Sequence, residues 1–238
     1  MGRDVMVGEL VEVFEGASSV VVAAHLRPDG DAIGSMLGLG LILEGMGKVV
    51  SYVHTDGVPG NLAFLDEGRR VKGVEEVGEG ELFVALDTAN AERLADGGVG
   101  AAMAGAVRVT IDHHVTNERY GDLVWVDAGS PATAQMVWEL AQAGGWTIPL
   151  EAAVALYVGV STDTGSFQYA NTTGRTHEMA AALLGIGVDV AEVNRLTYQN
   201  FPARRVELLK GLLGTMERSG DGRVAWWSLT EAMKKGVG

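Results

Sequence analysis

The apolar positions along the chain alternate between two periods, and this alternation predicts an α/β fold. Residues 4–15 place Met6, Leu10, Val13 and Phe14 on one face, the spacing of an amphipathic helix. Apolar-rich runs at 20–24, 48–53, 82–87 and 107–112 read as strands. Between them, residues 32–45 are apolar all round and begin directly after an Asp-Gly-Asp turn, which predicts a buried helix. Its Gly34, Gly38 and Gly40 are expected to let it lie close to the sheet. Ser130-Pro131 reads as a helix start, with Ser as cap and Pro in the first turn, and the helix runs to about Ala143. Period alone does not separate helix from strand over 150–162, but length and alanine content favour helix. A further helix starts at Thr173 or Thr176 and continues through Leu184. Residues 190–200 and 203–217 are amphipathic and are divided by Pro202. Gly45 with Gly47, and Gly144 with Gly145, punctuate helix ends. Strands alternating with helices predict a parallel sheet covered by helices on both faces. After residue 216 the pattern changes to a turn at Asp221-Gly222, a strand over 223–229 and a helix start at Thr230. That stretch reads as the start of a truncated second α/β domain. In the strand, one of Trp226 and Trp227 is expected to face inward and the other outward.

The strand ends carry the chemistry. The run Val20–Ala24 ends in His25-Leu-Arg-Pro-Asp29-Gly-Asp31, the run Leu82–Leu86 ends in Asp87, and Val107–Ile111 ends in Asp112-His113-His114. Ligands of open α/β sheets collect outside the carboxyl ends of the strands. Each feature also has a bland reading: Pro28-Asp29-Gly30 is good turn chemistry and Asp31 could cap the next helix. Three strand ends bearing carboxylates and imidazoles together are not expected from turn and cap statistics. His25, Asp29 and Asp31 can converge in one tight turn, and Asp87 on another strand end is the natural bridge between two ions. The Asp-His-His run supplies a nitrogen ligand, with His113 and His114 both open to that role. Asp163, in Gly159-Val-Ser-Thr-Asp163-Thr-Gly165, interrupts an apolar segment and completes the set.

Composition narrows the chemistry. There is no cysteine among the 238 residues, so neither a disulfide framework nor a thiolate metal site is available. Mixed Asp/His ligation suits Mn²⁺, with Mg²⁺, Fe²⁺ or Co²⁺ as other fits. Two such ions are the usual apparatus of phosphoester hydrolysis, and a helix starting near Ala32 would add a positive dipole end. The formal net charge of −13 argues against bulk electrostatic grip on long nucleic acid, but not against a short phosphate-bearing substrate. The N-terminus lacks the apolar core of a signal peptide, and the most apolar stretch, 32–46, is too short to span a bilayer. A cytoplasmic protein with no membrane association is expected. His54, in a polar loop, is expected to be solvated. His177 is expected to belong to a helix start, and Arg204 and Arg205 to a solvated helix face.

Ala24-His25-Leu26-Arg27-Pro28-Asp29-Gly30-Asp31-Ala32-Ile33-Gly34-Ser35 resembles the first motif of the DHH phosphoesterase family. Leu86-Asp87-Thr88 resembles the second, Ile111-Asp112-His113-His114 the third, and Ser161-Thr162-Asp163-Thr164-Gly165 the fourth. Ser130-Pro-Ala-Thr-Ala-Gln135 and Asn171-Thr-Thr-Gly-Arg-Thr-His-Glu178 are similar to family sequence, so the likeness spans about residues 20–215. The branch most resembled is the bacterial nanoRNase and 3′-phosphoadenosine 5′-phosphate phosphatase group. The resemblance implies that His25, Asp29 and Asp87 hold one metal, and that Asp31, Asp87, His113 and Asp163 hold the other. It implies that His114 faces the substrate phosphate and that Asp112 orients the imidazoles as a catalytic support. It implies two divalent cations, Mn²⁺ first, and a homodimer. The activity implied is hydrolysis of short oligonucleotides to 5′-mononucleotides, with 3′-phosphoadenosine 5′-phosphate as a related substrate. A cyclic- or linear-dinucleotide phosphodiesterase is the alternative with the same site. The family carries a second domain, DHHA1, with a glycine-rich His motif that the chain does not reach. The expected organisation is therefore a DHH catalytic domain at 1–188, a helical linker at 189–216 and an incomplete start of DHHA1 at 217–238. A metal-binding fragment with little catalysis is the alternative of another class.

Overall fold

In the computed structural model, residues 2–94 and 105–236 are described. Two compact units divide the chain, residues 1–193 and 194–238. The first is built on a sheet of seven strands: β1 (Arg3–Asp4), β2 (Ser19–Ala24), β3 (Val49–Val53), β4 (Val71–Lys72), β5 (Leu82–Leu86), β6 (Val107–Asp112) and β7 (Leu123–Val126). Their order is β1-β7-β6-β5-β2-β3-β4, and every pairing is parallel. From β2 the chain moves outward through β3 and β4, then returns to place β5 on the other side of β2. The strand order thus reverses between β2 and β5, the switch point at which open α/β sheets bind ligands.

Side-chain alternation splits the core in two. Val20, Val22, Ala24, Leu82, Val84, Leu86, Val109 and Ile111 belong to the larger cluster, which they share with the helices. Val21, Ala23, Phe83 and Ala85 point the other way and pack with Val53, Leu94 and, among the described residues, Val74, Val77, Ala106 and Tyr120. The helices of this unit are α1 (Val7–Gly16), α2 (Gly30–Gly45), α3 (Thr133–Gly144), α4 (Leu150–Asp163) and α5 (Gly174–Ile186), followed by the short α6 (Val190–Asn194) at the boundary. No helix of the described residues is long and apolar enough to cross a membrane.

The first helix starts at Val7 rather than residue 4, because Arg3 and Asp4 pair with Leu123 and Val124 as an edge strand. β1, β4 and β7 were not expected from sequence; two to four residues carry too little alternation to show. The α2 glycines also divide differently from expectation. Only Gly40 meets the sheet, where a Cβ would run into the Tyr52 ring; Gly38 faces Leu156 and Gly34 faces the α4 backbone. A Cβ at Gly34 would lie 2.9 Å from the Gly159 nitrogen and against the Ala155 carbonyl. Backbone cannot yield as a side-chain tip can. Gly34→Ala is therefore expected to destabilise the fold by about 1–3 kcal/mol, the usual range for overpacking. Urea unfolding checks this, and an unchanged midpoint would show that the two helices tolerate separation.

The second unit holds a π-helical turn at Arg195–Gln199, α7 (Ala203–Leu213), an antiparallel pair β8 (Glu217–Arg218) and β9 (Ala225–Trp226), and α8 (Glu231–Gly236). The expected helix over 203–217 stops at Leu213, and its end becomes β8. The expected strand over 223–229 pairs only at Ala225–Trp226. Trp226 and Trp227 are both exposed, at 45% and 52%, so neither is the inward residue of the expected pair. Among the described residues the two-residue ladder buries neither ring; both border a shallow depression with Thr215 and Met233.

Candidate metal centre

The site is assembled at the carboxyl ends of β2, β5 and β6. After β2 the chain turns through Arg27, whose φ of +54° is left-handed, and Asp29 caps α2 by accepting from Asp31 N and Ala32 N at 3.1 Å each. Asp31, the alternative cap of that helix in the sequence reading, does something else. Fully buried in the first turn of α2, it accepts from Thr133 N at 2.6 Å and Ala134 N at 2.9 Å. It is thus the side chain that closes the N-terminus of α3, a helix about one hundred residues away. Ser130 was expected to cap that helix, but α3 begins at Thr133 with Ala132 at the cap position and no side-chain cap of its own. The Ser130 hydroxyl donates to the Ala132 carbonyl instead.

Asp87 follows β5 with φ +54°, a strained conformation for a residue with a Cβ, while its N–H still donates to Ile111. Its buried carboxylate lies between two imidazoles. One oxygen is 3.4 Å from His25 Nε2, and the other is 3.4 Å from His113 Nε2. Thr133 Oγ1 donates to the His113-side oxygen at 3.1 Å and fixes the plane of the group. Asp29 lies 3.8 Å from His25 Nε2 on the solvent side, and Asp163, the last residue of α4, lies 3.3 Å from His113 Nε2. Ligand atoms of His25, Asp29 and Asp87 lie within 4.8 Å of one another, as do those of Asp31, His113 and Asp163 and those of Asp87, His113 and His114. The six sequence-nominated ligands therefore converge.

The two adjacent histidines are held differently. His113 Nδ1 faces the Ser130 carbonyl at 3.3 Å, and its Nε2 is buried without a hydrogen-bond partner, facing Asp31, Asp87 and Asp163. A buried imidazole nitrogen aimed at three carboxylates and bonded to none fits a cation between them. His114 Nδ1 donates to Asp112 at 2.7 Å and lies 3.6 Å from Asp87, and the ring is partly exposed. Asp112 was expected to orient both imidazoles; among the described residues it bonds to His114 and not to His113. Its other oxygen accepts from Asn117 Nδ2 at 2.6 Å, and Asn117 also donates to the Thr88 carbonyl.

Charge crowding shows in the titration of these groups. Burial lowers the pKa of His25, but Asp29 and Asp87 outweigh it and raise the group to about 10. His113 is likewise raised to about 10: burial opposes, and Asp87, Asp31 and Asp163 prevail. Burial and the Asp87 and Asp29 charges push Asp163 up to about 7, and burial with Asp87 raises Asp31. Burial opposes ionisation of Asp87 too, yet His113 and His25 hold it below the usual carboxylate range. Asp112 raises His114. With protein groups alone, imidazolium charges balance the carboxylates, a role that divalent cations could take over.

His54 is not solvated as expected but buried, at 3% exposure. Its Nε2–H donates to the His25 carbonyl at 2.8 Å, and its Nδ1 accepts from Asp56 N at 3.1 Å. Asp56 in turn accepts from Arg27 N at 2.7 Å. Burial lowers the pKa of His54, so the ring acts as a neutral strut. The turn after β3 thus clamps the strained loop that carries His25. His54→Ala is expected to lower Mn²⁺ affinity by about 10-fold, the low end for groups that orient a ligand. Calorimetric titration with Mn²⁺ checks this; unchanged affinity would mean that the loop holds without the clamp. Thr133, Asn117 and His54 were all missed as supports. Thr133 lies within the family-like stretch Ser130-Pro-Ala-Thr-Ala-Gln135, whereas Asn117 and His54 carry no local signal. His177 sits in the first turn of α5 and stacks on Phe167 at 5.6 Å between centroids. Arg204 and Arg205 lie in the second unit on exposed α7, Arg205 over the Phe201 ring at 3.9 Å.

Residues 19–160 match the model of the DHH family, N-terminal domain. The chain belongs to the DHH family. It is 39% identical over 213 residues to the bifunctional oligoribonuclease and PAP phosphatase NrnA of Thermus thermophilus, covering 89% of this chain and 62% of that protein. To the protein of the same name from Bacillus subtilis it is 33% identical, covering 80% of this chain and 60% of the relative. The chain thus spans about three fifths of the length of these relatives. The crystal structure of an exopolyphosphatase-related protein from Bacteroides fragilis superposes with a TM-score of 0.89 at 25% identity, covering 97% of this chain and 71% of that one. The DHH match covers β2 through most of α4, and so includes every nominated residue except Asp163.

Proposed function

We propose that this chain is a metal-dependent phosphoesterase that hydrolyses short oligonucleotides to 5′-mononucleotides, with 3′-phosphoadenosine 5′-phosphate as a related substrate. The observation that carries the reading is the Asp87 carboxylate, with one oxygen toward His25 and the other toward His113. A carboxylate so placed can serve two cations at once. His25, Asp29 and Asp87 would hold one ion; Asp31, Asp87, His113 and Asp163 would hold the other. An all-oxygen and imidazole donor set suits Mn²⁺. A divalent pair supplies a nucleophile from water and neutralises charge on the phosphoryl group.

The chain's own groups supply position and a proton. Asp112 fixes the His114 proton on Nδ1 and favours the cationic ring, whose Nε2–H can donate to a phosphate oxygen. Thr133 and the α3 N-terminus hold Asp87 and Asp31 in place, so the ligands are arranged before any substrate arrives. All of these groups lie within the compact unit of residues 1–193. The names of the two NrnA relatives agree with this substrate class. The test is incubation of a labelled dinucleotide with the chain and Mn²⁺. Release of mononucleotide, suppressed by a chelator, is the expected result; an intact dinucleotide after metal loading is demonstrated would overturn the reading.

A further inference from the structure

We propose that Arg93 is a phosphate-binding residue, its guanidinium taking an oxygen of the substrate phosphate on the His25 side of the centre. The proposal rests on the phosphoesterase reading for its ligand class. It is carried by a contact that is not a hydrogen bond. His25 turns Nε2 toward Asp29 and Asp87, and its Nδ1 lies 2.8 Å from the Leu26 carbonyl. A carbonyl only accepts, so Nδ1 carries a hydrogen whether the ring is neutral or cationic. Arg93 Nη2 sits 3.1 Å from that same Nδ1. A guanidinium has five N–H donors and no acceptor. Donor therefore meets donor, and His25 does not satisfy the arginine.

The backbone nevertheless fixes Arg93 there. Its carbonyl accepts from Leu26 N at 2.7 Å, and its N–H reaches Asn90 Oδ1 at 3.2 Å. Arg3, Arg70, Arg108, Arg119 and Arg175 each pair with a carboxylate, whereas among the described residues none lies within ion-pair reach of Arg93. The charge of a half-buried guanidinium is thus held beside the centre with no carboxylate partner among the described residues. A chain of net charge −13 repels a polyanion at long range, so a phosphate must be captured by particular cationic groups. Arg93, beyond His25, and His114, on the His113 side of Asp87, flank the bridging carboxylate. A planar fork of donors matches the paired oxygens of a phosphate.

The experiment uses the full chain and the variants Arg93→Ala and Arg93→Lys. Mn²⁺ binding is titrated first; inorganic phosphate and adenosine 5′-monophosphate are then titrated into the Mn²⁺-loaded proteins. Arg93→Ala is expected to weaken both anions by about 10-fold or more, the usual value of a hydrogen bond to a charged group. Arg93→Lys should recover part of the loss, and Mn²⁺ affinity should change by less than about threefold, because Arg93 offers no ligand atom. Unchanged anion affinity in Arg93→Ala would overturn the proposal, as would absence of anion binding by the Mn²⁺-loaded parent. A parallel fall in Mn²⁺ affinity would also overturn it and make Arg93 a support for His25. If Arg93-dependent anion binding is found but the parent leaves a dinucleotide intact, the hydrolase reading alone fails.

Discussion

Replacing Asp87 with alanine is expected to lower turnover of a dinucleotide by about 10³-fold or more. Metal ions contribute several kcal/mol of charge stabilisation in such reactions, and each ~1.4 kcal/mol is a factor of ten in rate. Asp87 is common to both proposed ion sites, so its loss affects both, whereas loss of Asp29 or Asp163 affects one. The geometry adds a second consequence. Asp87 is buried at 2% exposure between His25 and His113, with Thr133 Oγ1 donating to it. Alanine would leave two imidazoles and a hydroxyl facing a gap, so the protein-only state should lose stability as well. Asp87→Asn keeps the volume but removes the charge that holds both imidazoles in their cationic form, so it should lose turnover and part of the metal-free stability, and its difference from Asp87→Ala isolates the cost of the gap. Rates in saturating Mn²⁺ together with urea unfolding decide the matter. A rate within about tenfold of the parent would remove Asp87 from the bridging position.

The second large effect separates the two histidines. His113→Ala is expected to lower Mn²⁺ occupancy, because the Nε2 that it removes is the buried atom facing Asp31, Asp87 and Asp163. His114→Ala is expected to bind Mn²⁺ like the parent and to lose about 10²–10⁴-fold in kcat, the span of a positioned acid or base. Its Nδ1 is committed to Asp112, and its ring is partly exposed. Metal content of the two purified variants is the measurement. Equal loss of metal in both would mean that His114 ligates, exchanging Asp112 for an ion.

The nature of the site was legible where chemistry repeats at equivalent places in the chain. Three apolar runs ending in carboxylates and imidazoles could be read without coordinates, because a strand end is set by local pattern and ligand chemistry by residue type. The family motifs then grouped His25, Asp29, Asp31, Asp87, His113 and Asp163, and the structure brings these six together. The order of the buried strands followed less directly. Sequence indicated a parallel sheet, but it was the return of the chain to place β5 beside β2 that set Asp87 between His25 and His113.

The remainder was decided by contacts between segments far apart in the chain. Asp31 looks like a cap for its own helix, and local pattern supports that reading. It closes α3 instead because Gly34 lets α2 lie directly against α4, and a Cβ at Gly159 of α4 would touch both Asp31 and Ala134 of α3. His54 sits among Thr, Asp and Gly, which reads as solvent. It is buried because β3 runs beside β2 and places the turn after it over the His25 loop. β1, β4 and β7 are two to four residues long and exist only through their neighbours. Local sequence therefore determined which residues stand at the strand ends and what they can bind. Tertiary structure decided which group holds which, since a hydrogen bond across a hundred residues leaves no period in the chain.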